Sequence, residues 1–203
     1  MNHYFIGKLL NSNDAQKLTG KQNYLSRNLP VTNKVINFNT KFAYLGYLDD
    51  NTMLDLQDKL NNVFEALTKT FQPFNCEYTQ YGISGLKSTK KSVSVLYNNS
   101  EVSNVIVPFI RHYTNQITED DSDFYPHVAL LRFDASDYSK VVSAKDKKGL
   151  PLLETTFLPE PAYFTVDSID IMKGTPLVRR SGPSSKTDDM DISVIHRYKL
   201  GSS

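Results

Sequence analysis

The sequence predicts an α+β fold in which antiparallel sheets line a central cleft and helices pack outside. Three observations predict it. Two strand-like stretches of similar character, residues 38–48 and 124–133, sit in the two halves of the chain. A strongly amphipathic helix follows the first, with Leu56, Leu60, Val63, Phe64 and Leu67 on one face. Strands and helices then alternate irregularly, as strand, helix, strand, helix, strand, strand, helix, strand, weak helix, strand, strand, so the order suits two similar lobes around one cleft. At 203 residues, residues 1–203 are read as one domain with a flexible C-terminal tail.

Residues 4–10 read as a short strand. Asn13 and Asp14 offer an N-cap for a helix through Leu18, which Gly20 should interrupt. Residues 28–34 are polar, contain Pro30 and read as a loop. Residues 35–48 form the first motif strand. Simple alternation puts Phe38, Thr40, Phe42 and Tyr44 on one face and Asn39, Lys41, Ala43 and Leu45 on the other. The helix after Gly46 opens on an Asp-rich segment, with Thr52 and Asp55 placed like a capping box.

Residues 71–81 read as a strand, 84–88 as a turn, and 92–97 as another alternating strand. Asn99-Ser100 should cap a helix whose apolar face is Val102, Val105, Ile106, Phe109, Ile110 and Tyr113, with Pro108 kinking it or delaying its start. Residues 124–133 form the second motif strand. Residues 136–148 are weakly helical, 156–161 a loop, and 162–172 one strand. Gly182-Pro183-Ser184-Ser185 marks a turn, and residues 192–200 are the last strand.

Composition narrows the function. Hydrophobic residues make up 39% and charged residues 22%, which suits a packed core rather than disorder. No apolar run reaches the length of a membrane helix, and no export signal is visible. The single cysteine, Cys76, leaves no internal disulfide, so a cytoplasmic setting is expected. Net charge is +1, and local clusters are more informative. Basic groups occur at Lys87, Lys90 and Lys91, at Lys145, Lys147 and Lys148, and at Arg179, Arg180 and Lys186. Acidic groups occur at Glu119, Asp120, Asp121 and Asp123, and at Asp188, Asp189 and Asp191.

The order of pieces resembles the two-histidine (2H) phosphoesterases, the LigT-like superfamily. Tyr4-Phe5-Ile6-Gly7 is similar to the opening strand, Leu45-Gly46 with its Asp-rich sequel to the segment after the first motif, and Tyr125-Pro126-His127-Val128-Ala129-Leu130 to the second motif. Phe164-Thr165-Val166-Asp167-Ser168-Ile169 is similar to the strand before the closing hairpin. The resemblance implies metal-free chemistry without a cofactor, by two His-x-Thr/Ser motifs: one histidine takes a proton and the other gives one.

Carried over by position, the first histidine falls on Asn39 and its hydroxyl on Lys41. The second motif keeps His127 and has Ala129 at the hydroxyl. Asparagine does not titrate near neutrality, and an unperturbed lysine at about 10.4 is a poor base. The expectation is therefore a degenerate member that is not an enzyme. It would bind single-stranded RNA, such as messenger RNA, and have no membrane partner. In this it resembles the 2H-like RNA-binding proteins of nucleus-forming jumbo bacteriophages. Asn39, Lys41, His127 and Arg132 would meet phosphate, and Lys87, Lys90 and Lys91 with Tyr81 would form a basic, aromatic RNA surface. Two other readings stay open: an RNA 2′,3′-cyclic or cyclic-oligonucleotide phosphodiesterase relying on His127, and a small-nucleotide binder.

Overall fold

The computed structural model describes residues 2–29, 32–85, 89–114, 125–176 and 190–201. Strand β1, Asn2–Leu9, lies inside the first sheet. It pairs antiparallel with β3, Asn39–Leu48, on one side and with β8, Ser168–Pro176, on the other. The last strand, β9, Met190–Lys199, pairs with β8, giving the order β3-β1-β8-β9. The second sheet runs β2 (Asn33–Lys34), β6 (His127–Asp134), β5 (Lys90–Asn98), β4 (Phe74–Ser84) and β7 (Tyr163–Val166). The predicted α+β class with two antiparallel sheets is therefore what the chain forms.

Helix α1, Ser12–Asn28, is capped by Asn11, whose side chain accepts a hydrogen bond from the Asp14 N–H. It runs straight through Gly20, contrary to the sequence expectation. Leu18, Gln22 and Leu25 are buried along it, and burying such a face outweighs the roughly 1 kcal/mol that a mid-helix glycine costs. Gln22 Nε2 donates to the carbonyls of Val35 and Leu130 at 2.7 and 2.8 Å. It thereby pins the segment between β2 and β3 against β6.

Helix α2, Asp50–Thr70, buries Met53, Leu56, Leu60, Phe64 and Leu67, close to the predicted stripe. Its cap is Asp49, which receives both the N–H and the hydroxyl of Thr52, rather than a Thr52–Asp55 box. The helix covers one face of the first sheet. Phe64 packs on Tyr198 at 4.7 Å between ring centroids, Gln57 meets His196, and Tyr4 Oη donates to Asp50.

The third helical segment starts as a five-residue π-helical turn, Val102–Ile106, and continues as α3, Val107–Thr114. Asn99 Oδ1 accepts from the Val102 N–H. The wide turn advances the phase of the helix, so the buried set is Val102, Ile106, Val107, Ile110 and Thr114 while Val105 is exposed. The predicted face assumed an unbroken 3.6-residue period.

After β6 come a 3-10 turn, Ala135–Asp137, and two short helices: α4, Tyr138–Val142, and α5, Leu152–Thr155. The stretch 162–172, read as one strand, is two. β7 belongs to the second sheet and β8 to the first, with Asp167 between them. Thr40 Oγ1 on β3 and Tyr97 Oη on β5 are hydrogen bonded at 2.7 Å, fastening one sheet to the other. Among the described residues no helix is long and apolar enough to cross a membrane. The run at 119–123, Asp188 and Asp189, the Arg179, Arg180 and Lys186 cluster, and the predicted turn at 182–185 lie outside the described residues.

Candidate functional site

The site is built by irregularities in the two motif strands. In β3, Lys41 pairs with Gly7 and Ala43 with Ile6, so Phe42 is an extra residue. Tyr44 then pairs with Phe5 and Gly46 with Tyr4, so Leu45 is a second one. Both extra residues turn inward and are buried. Asn39, Lys41, Tyr44 and Tyr47 therefore share a face, where simple alternation had separated Tyr44 from Lys41.

In β6 the same device recurs. Ala129 pairs with Ser94 and Leu131 with Val93, leaving Leu130 extra. His127, Ala129 and Arg132 consequently share a face. The pattern of positions 39, 41 and 44 in one strand is the pattern of 127, 129 and 132 in the other.

Across the first sheet, His3, Phe5 and Gly7 lie on the Lys41 face, because they pair with Tyr47, Tyr44 and Lys41. Tyr4, Ile6, His196 and Tyr198 lie on the α2 face. A side chain at residue 7 is impossible: its Cβ would stand 2.0 Å from the Thr40 carbonyl oxygen. This close approach lets the Lys41 stem fold back, with its ammonium 4.5 Å from the centre of the Phe5 ring.

Charge couples the two walls. Lys41 keeps solvent-accessible surface on the cleft side, yet protein crowds it elsewhere. Loss of bulk water, then the Arg132 guanidinium, brings its pKa down to about 8. His127 Nδ1 lies 2.7 Å from the Tyr125 carbonyl oxygen, which can only accept. Its proton is therefore on Nδ1, and Nε2 carries a lone pair. Burial pushes the His127 pKa down, the Tyr125 carbonyl pulls it back up, and Lys41 lowers it further.

His3 is buried with only 8% of its surface exposed. Burial first, then Lys41 and Arg132, bring its pKa down to about 4. No local pattern in the sequence points to His3. The missing signal was its register: β1 sits between β3 and β8, so residue 3 faces Tyr47.

The predicted residues divide. Lys41, His127 and Arg132 come together. Asn39 joins the same face, and its amide donates to the Asn37 carbonyl at 3.0 Å. Ser94, opposite Ala129, places a hydroxyl on that face, 2.7 Å from the hydroxyl of Ser84.

The basic, aromatic surface is not assembled as expected. Lys90 pairs with Asp134 at 2.7 Å. Lys91 is buried on the opposite face of β5, its ammonium 5.8 Å from the Tyr138 ring centre. Tyr81 is buried and donates to the Phe157 carbonyl at 3.2 Å. Both point inward by the period of the strand. Lys87 lies outside the described residues. Among the described residues no three His, Cys, Asp or Glu side chains cluster as metal ligands would.

No protein-family model matches the chain, and no curated protein does. Solved structures match along almost its whole length. The protein TT0787 of Thermus thermophilus superposes with a TM-score of 0.66 at 13% identity, over 98% of this chain and 97% of its own. A phosphoesterase gives 0.61 at 13% identity, over 98% and 99%. E. coli LigT in its apo form gives 0.59 at 13% identity, over 98% and 97%. The chain thus has the LigT-like, two-histidine phosphoesterase fold. The same likeness corrects the expectation that it is not an enzyme: a phosphoesterase shares this architecture from end to end.

Proposed function

We propose that this chain, with the LigT-like fold as its frame, is a phosphoesterase that acts on single-stranded RNA, including messenger RNA, and holds the RNA phosphate between its two sheets. The observation that carries this reading is the meeting of His127, Lys41 and Arg132 on facing walls, with the first two titrating on either side of neutrality. Arg132 and Lys41 offset phosphate charge, and the Asn39 amide adds a polar contact. E. coli LigT has been solved with phosphate, 3′-AMP and ATP, which supports a nucleotide phosphate as the ligand chemistry.

For a 2′,3′-cyclic RNA end the step balances as follows. His127 Nε2 takes a proton from water, and the water oxygen bonds to phosphorus. The bond from phosphorus to one ribose oxygen breaks, and the Lys41 ammonium gives that oxygen a proton. Neutral Lys41 and protonated His127 exchange with solvent to reset. Lysine takes the place of a second histidine because desolvation brings it within reach of neutral pH.

The test is a titration with a labelled single-stranded RNA of about 20 nucleotides, at two salt concentrations. The same samples, and an oligonucleotide ending in a 2′,3′-cyclic phosphate, are run on a gel. Salt-sensitive binding is expected, with turnover that disappears in both His127→Ala and Lys41→Ala. Turnover indifferent to either substitution, or the absence of RNA binding, sinks the proposal.

A further inference from the structure

Beyond Lys41, towards the Leu48 end of β3, the cleft wall ends in an aromatic corner that phosphate chemistry does not use. Tyr47 keeps 59% of its surface exposed, more than Tyr44 at 36% and Ile195 at 39%, the other exposed large hydrophobic side chains described in that sheet. Its ring lies parallel to His3, with centroids 5.1 Å apart and planes 20° apart. Tyr44 meets His3 edge-on at 4.7 Å. Phe5 stands 5.6 Å from His3 and also beneath the Lys41 ammonium, so the corner and the cation share one ring.

His3 itself is held from behind. Its Nδ1 is 3.0 Å from Met190 Sδ, and a thioether can only accept, so the neutral ring keeps its proton on Nδ1. Nε2 is then an acceptor. It is buried and has no hydrogen-bond partner among the described residues. An unmet buried acceptor is a cost that native proteins seldom leave without a use.

We propose that Tyr47, backed by His3 and Tyr44, is the platform on which a nucleobase stacks when its phosphate is held by Lys41 and Arg132. This rests on the phosphate reading above. Every base has a flat π-face, so such a platform takes RNA with little sequence preference. The rings beneath Tyr47 fix its orientation before the ligand arrives, which lowers the ordering cost of binding. A base amino group or ribose hydroxyl entering beside Tyr47 gives His3 Nε2 the donor it lacks.

The experiment compares two probes by calorimetric titration: adenosine 3′-monophosphate and ribose 5-phosphate, which carries no base. The wild type should bind the nucleotide about tenfold or more tighter than the sugar phosphate. Tyr47→Ala should remove that ratio and leave ribose 5-phosphate binding unchanged, while Tyr47→Phe should keep the ratio. Because Tyr47 is largely exposed, the fold should survive both changes, checked by the thermal midpoint. A wild-type ratio in Tyr47→Ala, or equal binding of both probes by the wild type, overturns the platform and leaves the phosphate reading standing. Failure of both probes to bind the wild type removes the phosphate reading and the platform with it.

Discussion

On the proposed mechanism, Lys41 and His127 divide the work of one titration. As a base, His127 must be neutral, and its lowered pKa places that requirement below the ordinary value of 6.5. As an acid, Lys41 must be charged, and it loses its proton near pH 8. The pH profile of kcat/KM should therefore be bell-shaped, with an acid limb below pH 6.5 and an alkaline limb near pH 8. Lys41→Arg should bind RNA and lose turnover, because guanidinium does not release its proton; a flat alkaline limb in the wild type would refute the assignment. His3 acts on stability. The unfolded chain binds a proton near pH 6.5 and the folded chain only near 4, so stability falls as pH drops through that window, by on the order of 3 kcal/mol. Thermal midpoints of His3→Gln between pH 4 and 7 should show a shallower slope than those of the wild type. At this scale the sequence was legible where position alone mattered. Counting back from Gly46 found Lys41, and the Pro126-His127 pair found the second wall. Lys91 and Tyr81 were placed at the surface as members of a basic, aromatic RNA-binding group, whereas strand parity turns both inward.

The amphipathic spacing of α2 was readable from local pattern, and the order of strands and helices suggested two lobes. The sequence expected Pro108 to disturb the third helix, where the structure has a π-helical turn; what escaped was the extra residues at Phe42, Leu45 and Leu130 and the break at Asp167. Such departures are set by partners distant in sequence, so local periodicity carries no trace of them. Two glycines test the difference between local and distant causes. Nothing lies within 4 Å of a side chain built at Gly20, so Gly20→Ala should raise stability by about 0.5–1 kcal/mol in denaturant unfolding. Gly7→Ala drives a methyl group into the Thr40 carbonyl and should cost about 3 kcal/mol or more. A neutral Gly7→Ala would mean that β1 and β3 are further apart than described.

For the whole molecule, the proposed RNA binding in a cleft lined from two sheets would make affinity a sum of cations on separate walls. For single strands, each phosphate contact contributes about 0.7 to the slope of log affinity against log salt. Lys41→Ala and Arg132→Ala should each reduce that slope by about this amount, measured from 50 to 200 mM salt. An unchanged slope in both would move the RNA away from the cleft. The position of β1 has a further consequence, for the order in which the protein can be made. Of the described strands β1 is made before the others, yet it is an interior strand whose second neighbour, β8, follows much later in the chain: His3 waits for Gly174. Until then β1 is an open edge that any extended chain can extend, and it stays exposed while every element between β3 and β8 is made.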